Sequence, residues 1–319
     1  MIKIGLTLAV AAATIIGGTV SATAQERRIL VGLAAGGSND LIARELAERL
    51  RAQTGDTYIV ENKPGAAQRI ALGEIRRAAP DGRTIILATN SPFAVLPNVY
   101  GDKVGYDPLK DFTPIGRIAK FEMGVAIGPK VNGNSFADFV TWAKANRADA
   151  SYGTPGAGTG PHFLGVTIGQ KIGVPLTHVP YRGGAPAITD LVGGHLPMLI
   201  NSLPDMLPHH QGGKLKIIGV ASAERSPLLK EAQTLKEAGV DFVAETNIDI
   251  YGPPGMAPDV VKKLNEQITA AMTSAETRAK LSSYGVVIVT STPEQLARIA
   301  VDELKMWEGP VKASGYQGD

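Results

Sequence analysis

The chain contains no cysteine. Disulfides, thiolate metal ligands, a thiol nucleophile and a lipidated N-terminal cysteine are therefore excluded. Charge of one sign is also missing: 32 Lys and Arg stand against 30 Asp and Glu, a formal +2. That balance leaves no basic face broad enough for nucleic acid, so no nucleic-acid partner is expected. After the first 24 residues no apolar run approaches the ~20 residues a membrane-spanning helix needs. G-x-S-x-G is absent, and the adjacent His209 and His210 do not have the spacing of H-E-x-x-H. No metal, cofactor or catalytic residue is expected.

What is present begins with a leader. Lys3 precedes an apolar run over 4–20, and Ala22-Thr-Ala24 has the A-x-A form of a cleavage site. Residues 1–24 read as a secretory signal peptide cleaved after Ala24, with the periplasm as destination. The remainder, with 44% hydrophobic and 19% charged residues, has the composition of a globular protein long enough for two domains.

The pattern then alternates strand and helix. Runs at 29–33, 57–61 and 84–88 read as strands. The last is apolar throughout, as a central parallel strand buried on both faces would be. Between them, Ile42, Leu46 and Leu50 fall on one helix face. Short strands at 115–118 and 124–127 carry the chain into a second alternation: helix 136–145 and strands 150–152, 176–179, 197–200 and 215–220. The last part reads as helices 258–274, 276–283 and 293–311 around a strand at 286–289, with Thr292 and Gln295 spaced as a capping box. Two such runs argue for two α/β lobes. We assign 25–121 and 247–319 to one lobe and 122–246 to the other, with 115–127 and 245–252 as hinge strands.

Ligands in such sheets bind beyond the strand C-termini. The loops there are rich in Gly, Ser, Thr and Asn and poor in acids; besides Asp40 at a helix start, Asp205 is the acid they carry. The most distinctive runs from Tyr152 to His162, with glycines at 153, 156, 158 and 160 and Pro161 at a helix start. A glycine-rich turn feeding a helix N-terminus presents N–H groups to an anion. A plain surface turn has the same composition. The spacing is neither G-x-G-x-x-G nor a P-loop, which disfavours a nucleotide.

Several runs together resemble one family. They include Gly36-Gly-Ser-Asn-Asp40, Glu61-Asn-Lys-Pro-Gly65, Ala79-Pro-Asp-Gly82, Asp111-Phe-Thr-Pro114, the glycine loop with His162, His178-Val-Pro-Tyr-Arg-Gly-Gly184 and Tyr251-Gly-Pro-Pro-Gly255. In this order and spacing they resemble the Bug-type extracytoplasmic solute receptors of tripartite tricarboxylate transporters. The resemblance implies a two-lobed, type II-like periplasmic-binding-protein fold that closes like a Venus flytrap. It implies a small organic acid ligand (a mono-, di- or tricarboxylate, or an aromatic acid) and membrane permease subunits as partners of a monomer.

The positions that match the family's ligand loops are Gly37, Ser38 and Asn39 on the first lobe, and Thr154, Gly156, Gly158 and Thr159 on the second. Ser91 and Asn201 end strands and are candidates for polar ligand contacts. His162 either donates to the ligand or braces its loop. Arg182 faces the cleft or caps a surface. One departure stands out: after Gly65 the family shows a glycine-rich turn, whereas this chain has Ala66-Ala-Gln-Arg-Ile70. Gln68 and Arg69, where small residues are usual, either meet a second polar end of the ligand or lie in solvent, as long basic side chains such as that of Arg69 usually do. Two other functions compete with transport: ligand sensing for a membrane kinase, and hydrolysis by a Ser–His–Asp set assembled in space.

Overall fold

Isoleucine and leucine fill 29–30 and 85–87, and those two runs lie side by side. The computed structural model describes residues 26–318. The expected leader, with its cleavage site, lies outside the described residues. Strands β1 (Glu26–Val31), β2 (Thr57–Asn62) and β3 (Thr84–Thr89) are parallel, with β1 in the middle. Helix α1 (Ser38–Thr54) joins the first two strands and buries Ile42, Leu46 and Leu50 along one stripe. It ends at Gly55, whose φ of 76° is left-handed, a conformation glycine takes without a steric penalty. Helix α2 (Arg69–Ile75) returns the chain to β3, every residue of which is buried.

Two short helices, α3 (Ser91–Ala94) and α4 (Leu96–Tyr100), occupy a stretch in which no helix was expected. Next comes β4 (Thr113–Ile127), one continuous strand where two short ones were expected. Lys120 and Glu122 interrupt its apolar run, yet both stay in register with the neighbouring strand. Local register shifts accommodate the bends.

The second half repeats the alternation. Its elements are α5 (Phe136–Ala145), β5 (Ser151–Thr154), α6 (Gly160–Ile172), β6 (Thr177–Pro180), α7 (Gly184–Val192), β7 (Met198–Ser202), α8 (Leu203–Gln211) and β8 (Lys216–Val220). The chain then returns through β9 (Glu245–Gly252) and finishes with α9 (Pro258–Thr273), α10 (Ala275–Ser282) and α11 (Pro293–Ser314). The expected capping box forms at the start of α11, between Thr292 and Gln295. Val287, expected in a strand, makes only an isolated bridge to Lys120.

Strand β4 belongs to both sheets. Its first part pairs with β9, which pairs with β3, giving the order β2-β1-β3-β9-β4. Its last residues, Gly124–Ile127, lie between β8 and β7, and the order continues through β5 to β6. Each sheet has its own core. Ile29, Leu46, Ile118, Ile248 and Leu264 belong to one, and Val125, Phe139, Tyr152, Leu164 and Ile200 to the other. A fully buried aliphatic or aromatic side chain contributes about 1.5–3 kcal/mol, so each lobe coheres on its own. Near the crossing, Arg117 pairs with buried Asp249 at 2.7 Å and with Glu303 at 2.8 Å, tying β4 to β9 and α11.

Candidate functional site

The parallel strands of both sheets end at one gap, and helix N-termini line it. From one side come the start of α1, with Ser38 and Asn39, and the start of α3, with Ser91. From the other come the start of α6, with Thr159 and Pro161, and the start of α7, with Gly184. Phe121 and Thr246, paired in register on β4 and β9, line the same space where the strands cross between lobes. This inner cavity encloses about 510 Å³, mouth included. No lysine or arginine lines it. The starts of the longer helices α1, α6 and α7 each bring roughly half a positive charge to its wall.

One carboxylate stands among these dipoles. Asp205, in the first turn of α8, accepts the Ser38 N–H at 2.5 Å and the Asn201 Nδ2–H at 3.1 Å. The Ser38 and Ser202 hydroxyls meet at 3.2 Å. Burial pushes the Asp205 carboxyl above its usual range, and hydrogen bonds from Ser38, Ser202 and Asn201 offset part of that rise. A Cβ on Gly184 would lie 2.2 Å from Asp205 Oδ2 and 2.5 Å from Asn201 Nδ2, so only glycine admits α7 this close. With Ala34 N–H donating to the Arg182 carbonyl at 3.0 Å, these contacts join the two lobes.

Asn39 differs from its neighbours. It is 3% exposed and lines the cavity, and its Nδ2 has no hydrogen-bond partner. A buried donor left unpaired costs about 1–3 kcal/mol, which an incoming acceptor would recover.

The other candidates fall into three places. Ser38, Asn39, Ser91, Thr159 and Asn201 line the inner cavity. Gly156, Arg69 and Arg182 line an adjoining outer cavity of about 590 Å³. Gly37, Thr154, Gly158 and His162 line neither and hold the loops that do. Gly37 caps α1. Thr154 is fully buried, with its hydroxyl 2.7 Å from His178 Nε2 and donating to the Gly156 carbonyl at 3.0 Å. His162 Nδ1 accepts the Gly158 N–H at 3.1 Å, and its ring stacks on His178 at 3.9 Å. Burial drives both imidazoles toward the neutral form, His162 to about 4 and His178 to about 3.

The sequence reading did not single out Thr89, Phe121, Ser202 or Thr246, which also line the inner cavity. Gln68, named with Arg69 at the departure after Gly65, does line the inner cavity: its Nε2 donates to Thr89 Oγ1 at 2.6 Å, and its Oε1 accepts the Thr89 N–H at 3.3 Å. It closes a run of positive φ on three non-glycine residues, Ala66 (46°), Ala67 (50°) and Gln68 (74°). Each such residue costs about 1–2 kcal/mol, a strain the Thr89 contacts help to hold.

Two sheets that share one strand, with ligand-facing helix N-termini at the gap, define a two-lobed α/β periplasmic-binding-protein fold. Residues 42–316 match the tripartite tricarboxylate transporter family receptor, TctC, and the chain belongs to that family of solute-binding receptors. It is 30% identical over 288 residues to a UPF0065 protein of Cupriavidus necator, covering 90% of this chain and 87% of that one. The solved periplasmic binding protein BugD is 28% identical, with a TM-score of 0.88 over 92% of this chain and 99% of BugD. The R. palustris protein Rpa4515, solved with adipate, is also 28% identical, with a TM-score of 0.87 over 92% of this chain and 98% of that one. Such receptors bind solutes rather than transform them. Among the described residues, no helix is long and apolar enough to cross a membrane.

Proposed function

We propose that this chain captures a small carboxylate-bearing organic acid between its lobes and hands it to the membrane subunits of a tripartite tricarboxylate-type transporter. It works in the periplasm as a monomer, after removal of residues 1–24. The lobes are 25–121 with 247–319, and 122–246. The carrying observation is Asn39, a buried donor without a partner in a cavity lined by helix N-termini. An acid held there takes hydrogen bonds from Asn39, Ser91 and loop amides; the Thr159 hydroxyl is spent on the Gly156 carbonyl at 2.7 Å. Hydrogen bonds to a charged group contribute about 1.5–3 kcal/mol each, so a few of them with burial of the ligand reach the ~8 kcal/mol of a micromolar complex. A relative solved with adipate supports a carboxylate ligand.

Thermal-shift screening of organic acids tests the reading, because a ligand that binds only the folded state raises the melting temperature. At least one acid should raise it in a concentration-dependent way, while the corresponding amide does not. Amides matching acids across the panel would refute the proposal.

A further inference from the structure

The outer cavity adjoins the inner one and shares Leu33, Ala67, Gln68 and Pro155 with it. Its wall has a different character. Arg69 is the first residue of α2 in lobe 1, and Arg182 comes from the lobe-2 turn after β6, while no aspartate or glutamate lines the space. Among the described residues neither guanidinium is paired with a carboxylate, although most arginines of the first lobe are. Arg69 is held in place: its guanidinium lies 4.4 Å over the Tyr100 ring and its Nε donates to the Ala66 carbonyl at 3.1 Å. Its terminal nitrogens carry no hydrogen bond to the protein. The turn bearing Arg182 is fixed to the opposite lobe through the bond from Ala34 N–H.

We propose that the outer cavity is a second anion subsite, in which Arg69 and Arg182 reach from opposite lobes to the distal carboxylate of an elongated dicarboxylate. The inference rests on the reading that the inner cavity receives the first carboxylate. It names the ligand class: an acid with two carboxylates separated by a short apolar spacer, which passes Leu33, Ala67 and Pro155 where the cavities join. Guanidinium groups suit that end because they donate in a fork that matches a carboxylate. Pinning Arg69 on Tyr100 lowers the ordering cost of the contact. Since the two arginines belong to different lobes, the distal carboxylate favours the closed form and contributes little to an open one.

Titration calorimetry with two probes of equal length, adipate and hexanoate, tests the proposal on the wild-type chain and on Arg69→Gln, Arg182→Gln and Arg182→Lys. Arg182 is exposed, so its variants should fold even where an Arg69 variant does not. Losing a charged hydrogen bond should weaken adipate about tenfold or more in each Gln variant and leave hexanoate within about twofold. Arg182→Lys, which keeps the charge but not the fork, should fall between wild type and Arg182→Gln for adipate. Equal losses for both acids, or no loss for adipate, would overturn the subsite while leaving carboxylate capture intact. If the wild-type chain binds no adipate, the subsite falls, while carboxylate capture stands or falls on the wider panel of acids.

Discussion

Asp205 is the residue whose replacement says most about this site. A ligand carboxylate beside Asn39 shares the inner cavity with Asp205. Two like charges about 6–10 Å apart repel by about 1.5–3 kcal/mol at an effective dielectric constant of ~20. Asp205→Asn keeps an oxygen for the Ser38 N–H, presents its NH2 to Asn201, whose amide must turn over to accept it, and removes that repulsion. It should therefore tighten carboxylate binding about 10- to 100-fold at neutral pH. Burial already lifts the Asp205 carboxyl above its usual range, and a second anion lifts it further. Ligand binding then takes up a proton, so wild-type affinity should rise as pH falls from neutral into the weakly acidic range. The Asn variant should lose that slope. Asp205→Ala is the contrasting variant: it strands the Ser38 and Asn201 donors, at about 1–3 kcal/mol each, and should gain little. Calorimetric titration with adipate at three pH values, on all three proteins, measures each effect. If Asp205→Asn bound adipate more weakly than wild type, or kept the full pH slope, the reasoning would be refuted.

Asn39→Ala should weaken the same ligand by about 1–3 kcal/mol with an unchanged circular dichroism spectrum, because the donor is unpaired in the empty protein. The double variant Ala66→Gly, Ala67→Gly relieves two left-handed backbone positions against a gain in unfolded-chain entropy, and should raise the melting temperature by a few degrees. The buried imidazoles set the acid limit. The fold holds His162 neutral, so its contribution is present above the ordinary value of 6.5 and is lost as pH falls through about 4. That amounts to about 3 kcal/mol, and urea unfolding of His162→Gln should show a shallower loss of stability between pH 7 and pH 4 than wild type. A steeper loss would count against a neutral, loop-bracing His162.

The architecture was largely legible because its signals are local. The Ile42, Leu46 and Leu50 stripe, the apolar run of β3 and the Thr292 box each declare an element without help from distant residues. Helix α8 was hidden by Pro204 and Pro208, which read as loop; Pro204 stands in the first turn, where it costs nothing. Strand β4 was split in expectation because its polar residues interrupt an apolar pattern, whereas its pairing with β9 runs through them. The cavity was partly legible. Loop residues at strand ends pointed to Ser38, Asn39, Ser91, Thr159 and Asn201 as lining residues. Asp205 was visible as an acid among the cleft loops, but its bond to the Ser38 N–H joins residues 167 positions apart, and no spacing encodes it. Gln68 reaches buried Thr89 only because three successive residues adopt positive φ. Nothing in an Ala-Ala-Gln run announces that conformation.

A crystal structure of the mature chain grown with adipate tests capture between the lobes most directly. One bound molecule is expected, with a carboxylate oxygen within about 3.2 Å of Asn39 Nδ2 in the inner cavity and the second carboxylate between Arg69 and Arg182. An inner cavity still empty at saturating adipate, or the acid seated elsewhere on the molecule, would contradict it.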